Sequence, residues 1–197
     1  MDFQVGVGAT GVTVGISRAM LGSLATRFSR RTLYGGPCML IDRHTGLALD
    51  STTEPRHRTR PVLWTPHGLP WQQWRIVRVK RGIYKILSEH GDLALSTDHA
   101  AGDGSWVWLE KYRDREDQLW RLEATEDHTA FVVETKRSAH SLDATLDPRI
   151  PAAAEDGWIG DPSSPILWET HSQAWQQWVI VRLPLTLDPP MGRVVVG

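Results

Sequence analysis

The sequence predicts an all-β fold, a small closed barrel of three four-stranded units about a threefold axis, preceded by a short N-terminal extension. Three observations predict it. All ten tryptophans of the 197-residue chain lie between Trp64 and Trp178, and most fall in three groups that share a Gln-x-Trp core. Two further elements precede each group in the same order, so the chain is an internal repeat. Each unit of about 45 residues also breaks into four short apolar runs separated by Gly, Asp and Pro, the mark of short strands and not of βαβ units.

The first unit runs Gly46-Leu47-Ala48-Leu49-Asp50-Ser51, then Leu63-Trp64-Thr65, then Trp71-Gln72-Gln73-Trp74-Arg75-Ile76-Val77. The second runs Asp92-Leu93-Ala94-Leu95-Ser96-Thr97, Val107-Trp108-Leu109 and Asp117-Gln118-Leu119-Trp120-Arg121-Leu122. Its predicted strands are Ile83–Leu87, Leu93–Ser96, Trp106–Glu110 and Leu119–Leu122. The third runs His140-Ser141-Leu142-Asp143-Ala144, Leu167-Trp168-Glu169 and Trp175-Gln176-Gln177-Trp178-Val179-Ile180-Val181. Leu49 precedes Trp74 by 25 residues and Leu95 precedes Trp120 by the same 25. The third copy stretches this interval to 36, which places an insertion at 147–165. A propeller takes four or more such units. Three close more readily into a barrel with a hairpin cap, which removes the strand edges each unit would expose alone.

Residues 1–35 differ in kind. Glycines punctuate small and β-branched residues, and alternation through Phe3, Val5, Val7 and then Val12, Val14, Ile16 predicts two short strands around Thr10-Gly11. After Ser17 as N-cap, Met20, Leu21, Leu24, Ala25 and Phe28 fall on one face of a helix. This arm is net +3, while the remainder carries −4 (18 basic against 22 acidic). Packing on the barrel or on a second copy is the plainer role for it. Contact with an anionic membrane surface is the sharper one. Residues 185–197, with Pro189-Pro190, read as a tail.

Composition narrows the function. With 41% hydrophobic and 23% charged residues the chain is an ordinary soluble globular protein. Its net charge of −1 argues against a nucleic-acid partner. One cysteine, Cys38, excludes a disulfide framework and a cysteine zinc site, and the eight histidines show no ligand spacing, so no metal and no cofactor is expected. No apolar run of 18 residues and no basic leader is present, so a cytoplasmic protein is expected, with export by a non-classical route still compatible. No nucleophile elbow, zinc-protease or phosphate-loop motif occurs, and the expectation is no catalysis.

The three Gln-x-Trp groups, in register with the Leu-Trp and Leu-Asp elements, resemble the ricin B-type lectins, whose β-trefoil carries this signature in each of three lobes. The resemblance covers residues 36–184, with lobes at about 36–80, 81–126 and 127–184. It implies that Trp74, Trp120 and Trp178 are structural, filling the core between lobes. It also implies a sugar site per lobe: a carboxylate that accepts vicinal hydroxyls and an aromatic plane that stacks on the apolar ring face. By position, lobe one offers Asp50, Trp64 and Gln72, and lobe three offers Asp143, Trp168 and Gln176. Lobe two keeps Trp108 and Gln118 but has Ser96 at the aspartate position, so it is expected to be silent.

Two departures matter. The asparagine that usually stands just before the signature glutamine is Trp71 in lobe one and Trp175 in lobe three, which supplies a second stacking surface or closes the pocket. Asp50 and Asp143 also suit a turn role, hydrogen-bonded to their own backbone. The segment 54–61 holds Arg56, His57, Arg58 and Arg60, a solvated loop or a contact for an anionic partner such as a sialylated or sulfated glycan. The leading expectation is a non-catalytic module for galactose- or N-acetylgalactosamine-type glycans, acting through lobes one and three. The alternatives are a protein-interaction trefoil with degenerate sugar sites, and the targeting part of a toxin-like or effector assembly docked by its arm.

Overall fold

The computed structural model describes residues 7–8, 11–12, 36–144 and 164–183. The predicted helix after Ser17, the insertion at 147–165 (apart from its last two residues) and the C-terminal tail fall outside them. Of the arm, β1 (Val7–Gly8) pairs antiparallel with β2 (Gly11–Val12) across the predicted turn.

Twelve strands follow, four per lobe. Lobe one holds β3 (Cys38–Asp42), β4 (Ala48–Asp50), β5 (Val62–Trp64) and β6 (Trp74–Lys80). Lobe two holds β7 (Ile83–Ser88), β8 (Leu93–Thr97), β9 (Val107–Lys111) and β10 (Trp120–Ala124). Lobe three holds β11 (Phe131–Thr135), β12 (His140–Asp143), β13 (Ile166–Glu169) and β14 (Gln177–Arg182). The pairings β3·β6, β6·β7, β7·β10, β10·β11, β11·β14 and β14·β3 close a ring of six strands. The hairpins β4·β5, β8·β9 and β12·β13 cap it. This is a β-trefoil, and closure leaves the barrel no free edge.

Each lobe repeats the same local solutions. Cys38 pairs with Trp74, Tyr84 with Trp120 and Phe131 with Trp178, which puts all three indoles in the barrel with no solvent exposure. A buried indole N–H needs an acceptor. Trp74, Trp120 and Trp178 each donate at 2.9 Å, to the carbonyls of Leu49, Leu95 and Leu142. The two sequence elements are therefore bonded to one another: the Leu-Asp strand supplies the oxygen that the Gln-x-Trp indole requires. The turn before each of these strands has a left-handed residue at the matching position, Gly46 at φ +74°, Asp92 at +49° (after Gly91 at +91°) and Ala139 at +56°. Only the first position is glycine, so the other two turns carry modest strain.

The lobes are joined at three equivalent places. Glu89, Lys136 and Arg43 donate their backbone N–H to the carbonyls of Gln73, Leu119 and Gln177, at 2.8 Å each. Side chains then differ between joints. His90 meets the edge of Trp71 with ring centres 6.0 Å apart, and His44 meets Trp175 at 5.9 Å. At the third joint Lys136 and Arg137 pair with Glu116 instead.

Candidate functional site

Asp50 ends β4 and is almost completely buried. Its Oδ1 accepts the Thr52 N–H at 2.7 Å, the self-bonded turn expected of aspartate. Gln72 sits behind it with no exposure. The Gln72 Oε1 accepts the N–H groups of His67 (2.8 Å) and Gly68 (3.2 Å), and its Nε2 donates to the Thr65 carbonyl at 3.1 Å. The same amide lies close enough to the Asp50 carboxylate to favour its charged form, so the glutamine folds the loop before the signature and backs the acid from within. On the outer side His67 Nε2 lies 3.4 Å from Asp50 Oδ2.

Lobe three repeats the glutamine and histidine arrangement. Gln176 Oε1 accepts from His171 N–H at 2.9 Å and Ser172 N–H at 3.1 Å, while its Nε2 donates to the Glu169 carbonyl (2.9 Å) and Asp143 Oδ2 (3.0 Å). His171 Nε2 stands 3.7 Å from Asp143 Oδ2. The two histidines were not singled out in the sequence, although both lie five residues before the signature glutamine, where lobe two has Arg113.

Three groups converge on each imidazole. The Leu69 N–H donates to His67 Nδ1 at 3.1 Å, and the Gln173 N–H to His171 Nδ1 at 3.2 Å. The Trp71 and Trp175 indole N–H groups approach the Nε2 atoms at 3.1 and 3.4 Å. With Nδ1 accepting from the backbone, a neutral imidazole carries its proton on Nε2, which points it toward the carboxylate and leaves the indole N–H as a close neighbour and not a bonded donor. The contact to aspartate is long, at 3.4 and 3.7 Å, and the acid is capped loosely. Trp71 and Trp175, wedged between this histidine and the histidine of the next lobe, are joints between lobes and not open stacking faces.

The outer tryptophans differ in exposure. Trp64, opposite Ala48 on the cap hairpin, is 59% exposed. Trp168, opposite Ser141, is half-buried, with Gly104 against its ring. Burial raises the Asp50 carboxyl above the usual carboxylate value, and hydrogen bonds from Thr52, Gln72 and His67 together with the nearby imidazole pull it partly back.

Lobe two is built differently. Ser96 Oγ takes the Gln118 amide at 3.1 Å, in the place of the carboxylate. The segment 54–61 of lobe one crosses over: Arg58 N–H donates to the Leu109 carbonyl and Leu109 N–H to the Thr59 carbonyl, both at 2.8 Å. That strap lays the Arg58 guanidinium 4.2 Å above the Trp108 ring and Arg60 4.3 Å above Trp106. Arg58 also pairs with Asp98 at 2.9 Å and Glu110 at 3.3 Å. The face a sugar would need is occupied by the chain itself. Arg58→Ala is expected to make tryptophan emission more quenchable by acrylamide by uncovering Trp108, without adding a sugar site, because Ser96 still supplies no carboxylate.

This geometry defines the class, a β-trefoil with two like lobes and one divergent lobe. Residues 70–148 match the family model described as ricin-type beta-trefoil lectin domain-like. Among solved structures, the designed 3-fold symmetric protein ThreeFoil is 26% identical with a TM-score of 0.64, over 76% of this chain and all of that one. The Macrolepiota procera ricin B-like lectin, solved in complex with lactose, is 19% identical at TM-score 0.60, over 80% of this chain and 100% of that one. The Polyporus squamosus lectin, bound to the epitope Neu5Aca2-6Galb1-4GlcNAc, is 13% identical at 0.60, over 75% of this chain and 49% of that one. No curated protein matches the sequence. The fold is thus the β-trefoil that the three Gln-x-Trp groups implied, and residues 70–148 are similar to the ricin-type lectin family.

Proposed function

We propose that the chain is a non-catalytic carbohydrate-binding module that takes galactose- or N-acetylgalactosamine-type glycans through lobes one and three. The observation that carries this reading is the repeated set. Aspartate, glutamine and histidine stand at matching positions in lobes one and three, each with an outer tryptophan on the strand paired to that of the acid, while lobe two has a serine in place of the acid and a covered ring. A set retained only for packing would not need an open indole such as Trp64.

In this reading Asp50 and Asp143 accept a pair of vicinal hydroxyls, and Trp64 and Trp168 stack on the apolar ring face. The Gln72 and Gln176 amides are taken up by the loop before the signature, so their part is to hold that loop behind the carboxylate and not to touch the sugar. Asp50 is 4% and Asp143 0% exposed in the free protein, so in this reading the loosely held imidazole gives way before a sugar hydroxyl takes the Oδ2 lone pair. Each shallow site is weak, and useful avidity comes from engaging both on one branched or clustered glycan.

Calorimetric titration with lactose and N-acetylgalactosamine is expected to show two sites per chain of about millimolar Kd. Asp50→Ala and Asp143→Ala should each leave one, with tryptophan emission used to confirm that the variants are folded. A blank across a panel of neutral glycans would remove the proposal.

A further inference from the structure

The loop between β8 and β9 leaves lobe two and lies along β13 of lobe three. Gly104 N–H donates to the Leu167 carbonyl at 2.9 Å and Leu167 N–H to the Ser105 carbonyl at 2.8 Å, next to the bridge between Trp106 and Ile166. The same bond pattern lays Arg58 and Thr59 along Leu109 of lobe two. Arg58 and Gly104 therefore hold one place in two lobes, and both are left-handed, at φ +65° and +76°. The antiparallel register says what each one faces. Leu109 and Leu167 pair with Leu95 and Leu142, the leucines that accept the core indoles, so Glu110 in lobe two corresponds to Trp168 in lobe three. Both stand ten residues before the signature tryptophan, as Trp64 does, while Trp108 corresponds to Ile166. Arg58 thus lies across from Glu110, and Gly104 across from Trp168.

The side chain at this place decides what covers the outer position. In lobe two Arg58 holds Glu110 at 3.3 Å and spreads over Trp108. In lobe three a Cβ on Gly104 would touch the Trp168 ring at 3.9 Å and meet nothing else within 4 Å, so the glycine leaves open space along the edge of the indole. Asp103 fastens the loop there, its Oδ1 accepting the Glu169 N–H at 2.6 Å. Alternate residues of a strand share a face, so Asp143 lies on the face of Ser141, which pairs with Trp168. Asp143 is on the strand to one side of Trp168, and Gly104 is on the other side.

We infer that Gly104, lent by lobe two, is a specificity-determining residue of the lobe-three site: it leaves room beside Trp168 for the second sugar unit of the glycan. The inference rests on the lobe-three sugar site proposed above. A ring that stacks on Trp168 and turns its hydroxyls to Asp143 has its far side toward the loop. Neighbouring strands lie about 5 Å apart, so the next unit of the glycan falls over Gly104.

The test uses the full chain in an Asp50→Ala background, which isolates lobe three, titrated with galactose and with lactose, the same ring carrying a second unit. Gly104→Asn keeps a residue type that tolerates the left-handed conformation. It is expected to weaken lactose severalfold and to leave galactose unchanged. Gly104→Arg copies the side chain that lobe two carries in this conformation. It is expected to weaken both sugars at least tenfold and to protect Trp168 from oxidation by N-bromosuccinimide, read by peptide mass, while Trp64 reacts as before. Gly102→Asn, in the same loop with nothing within 4 Å of its Cβ, should change neither sugar and controls for disturbance of the loop. A parent that binds neither sugar would remove the lobe-three site and this inference with it. A parent that binds both, with lactose held equally by the Gly104 variants or Trp168 oxidised equally in Gly104→Arg, would overturn the inference and leave the site standing.

Discussion

Replacing Trp120 by alanine is expected to cost about 3–5 kcal/mol of folding stability, the range for emptying a fully buried aromatic site. Against a typical total of about 5–15 kcal/mol this leaves a protein near the edge of folding. Two losses combine. The ring contributes packing at the barrel axis with no solvent exposure, and its N–H satisfies the Leu95 carbonyl. Trp120→Phe separates them: it keeps much of the packing but leaves that buried carbonyl without its donor, for about 1–3 kcal/mol. The same ordering should hold at Trp74 and Trp178, whose indoles make the same bond to Leu49 and Leu142. Because the six barrel strands close on one another, loss of one indole should lower a single cooperative transition and not release one lobe first. Urea unfolding followed by circular dichroism measures this. A cost below 1 kcal/mol at all three positions would mean that the indoles are not what joins the lobes.

The fold was legible because its repeat is written in tryptophans, and a 25-residue interval between Leu95 and Trp120 is a bonded distance in the structure. Strand boundaries in lobe two moved by one residue at most at three of the four strands. Other features were less legible because they depend on contacts between lobes. Nothing in the run Arg56 to Arg60 announces that it crosses to Leu109 and shields Trp108, since a strand-like bridge of two hydrogen bonds leaves no periodicity. Trp71 and Trp175 were ambiguous in sequence for the same reason: their partners, His90 and His44, belong to the following lobe. His67 and His171 could have been found, since they stand at one offset from the signature glutamine in the two lobes that keep the aspartate. Gln72 and Gln176 show where carrying a family's residues over by position stops being enough. Position places them beside the acid, and their bonds to the loop before the signature decide which side of it they serve.

Asp50→Asn is expected to reduce lobe-one sugar affinity about tenfold or more, because a hydrogen bond to an ionised acceptor is worth about 1.5–3 kcal/mol and the amide removes the charge. The substitution keeps an oxygen for the Thr52 N–H, so the turn that ends β4 is retained. The pH dependence follows from the direction in which Asp50 is displaced. Desolvation raises its folded-state pKa, only partly offset by Thr52, Gln72 and His67. Sugar binding needs the ionised form, so affinity in lobe one should decline on acidification beginning above the ordinary aspartate range. Stability runs the other way: a carboxyl whose pKa is higher folded than unfolded favours the native state most when protonated, below its unfolded value. That contribution disappears as pH rises through the folded value. Binding and stability should therefore respond to this one side chain with opposite signs, and Asp50→Asn should flatten its share of both. In an Asp143→Ala background, which isolates lobe one, lactose titrations across pH read the affinity and urea midpoints read the stability. An affinity that rises as the pH is lowered would show that the acid does not accept the sugar hydroxyls in its ionised form.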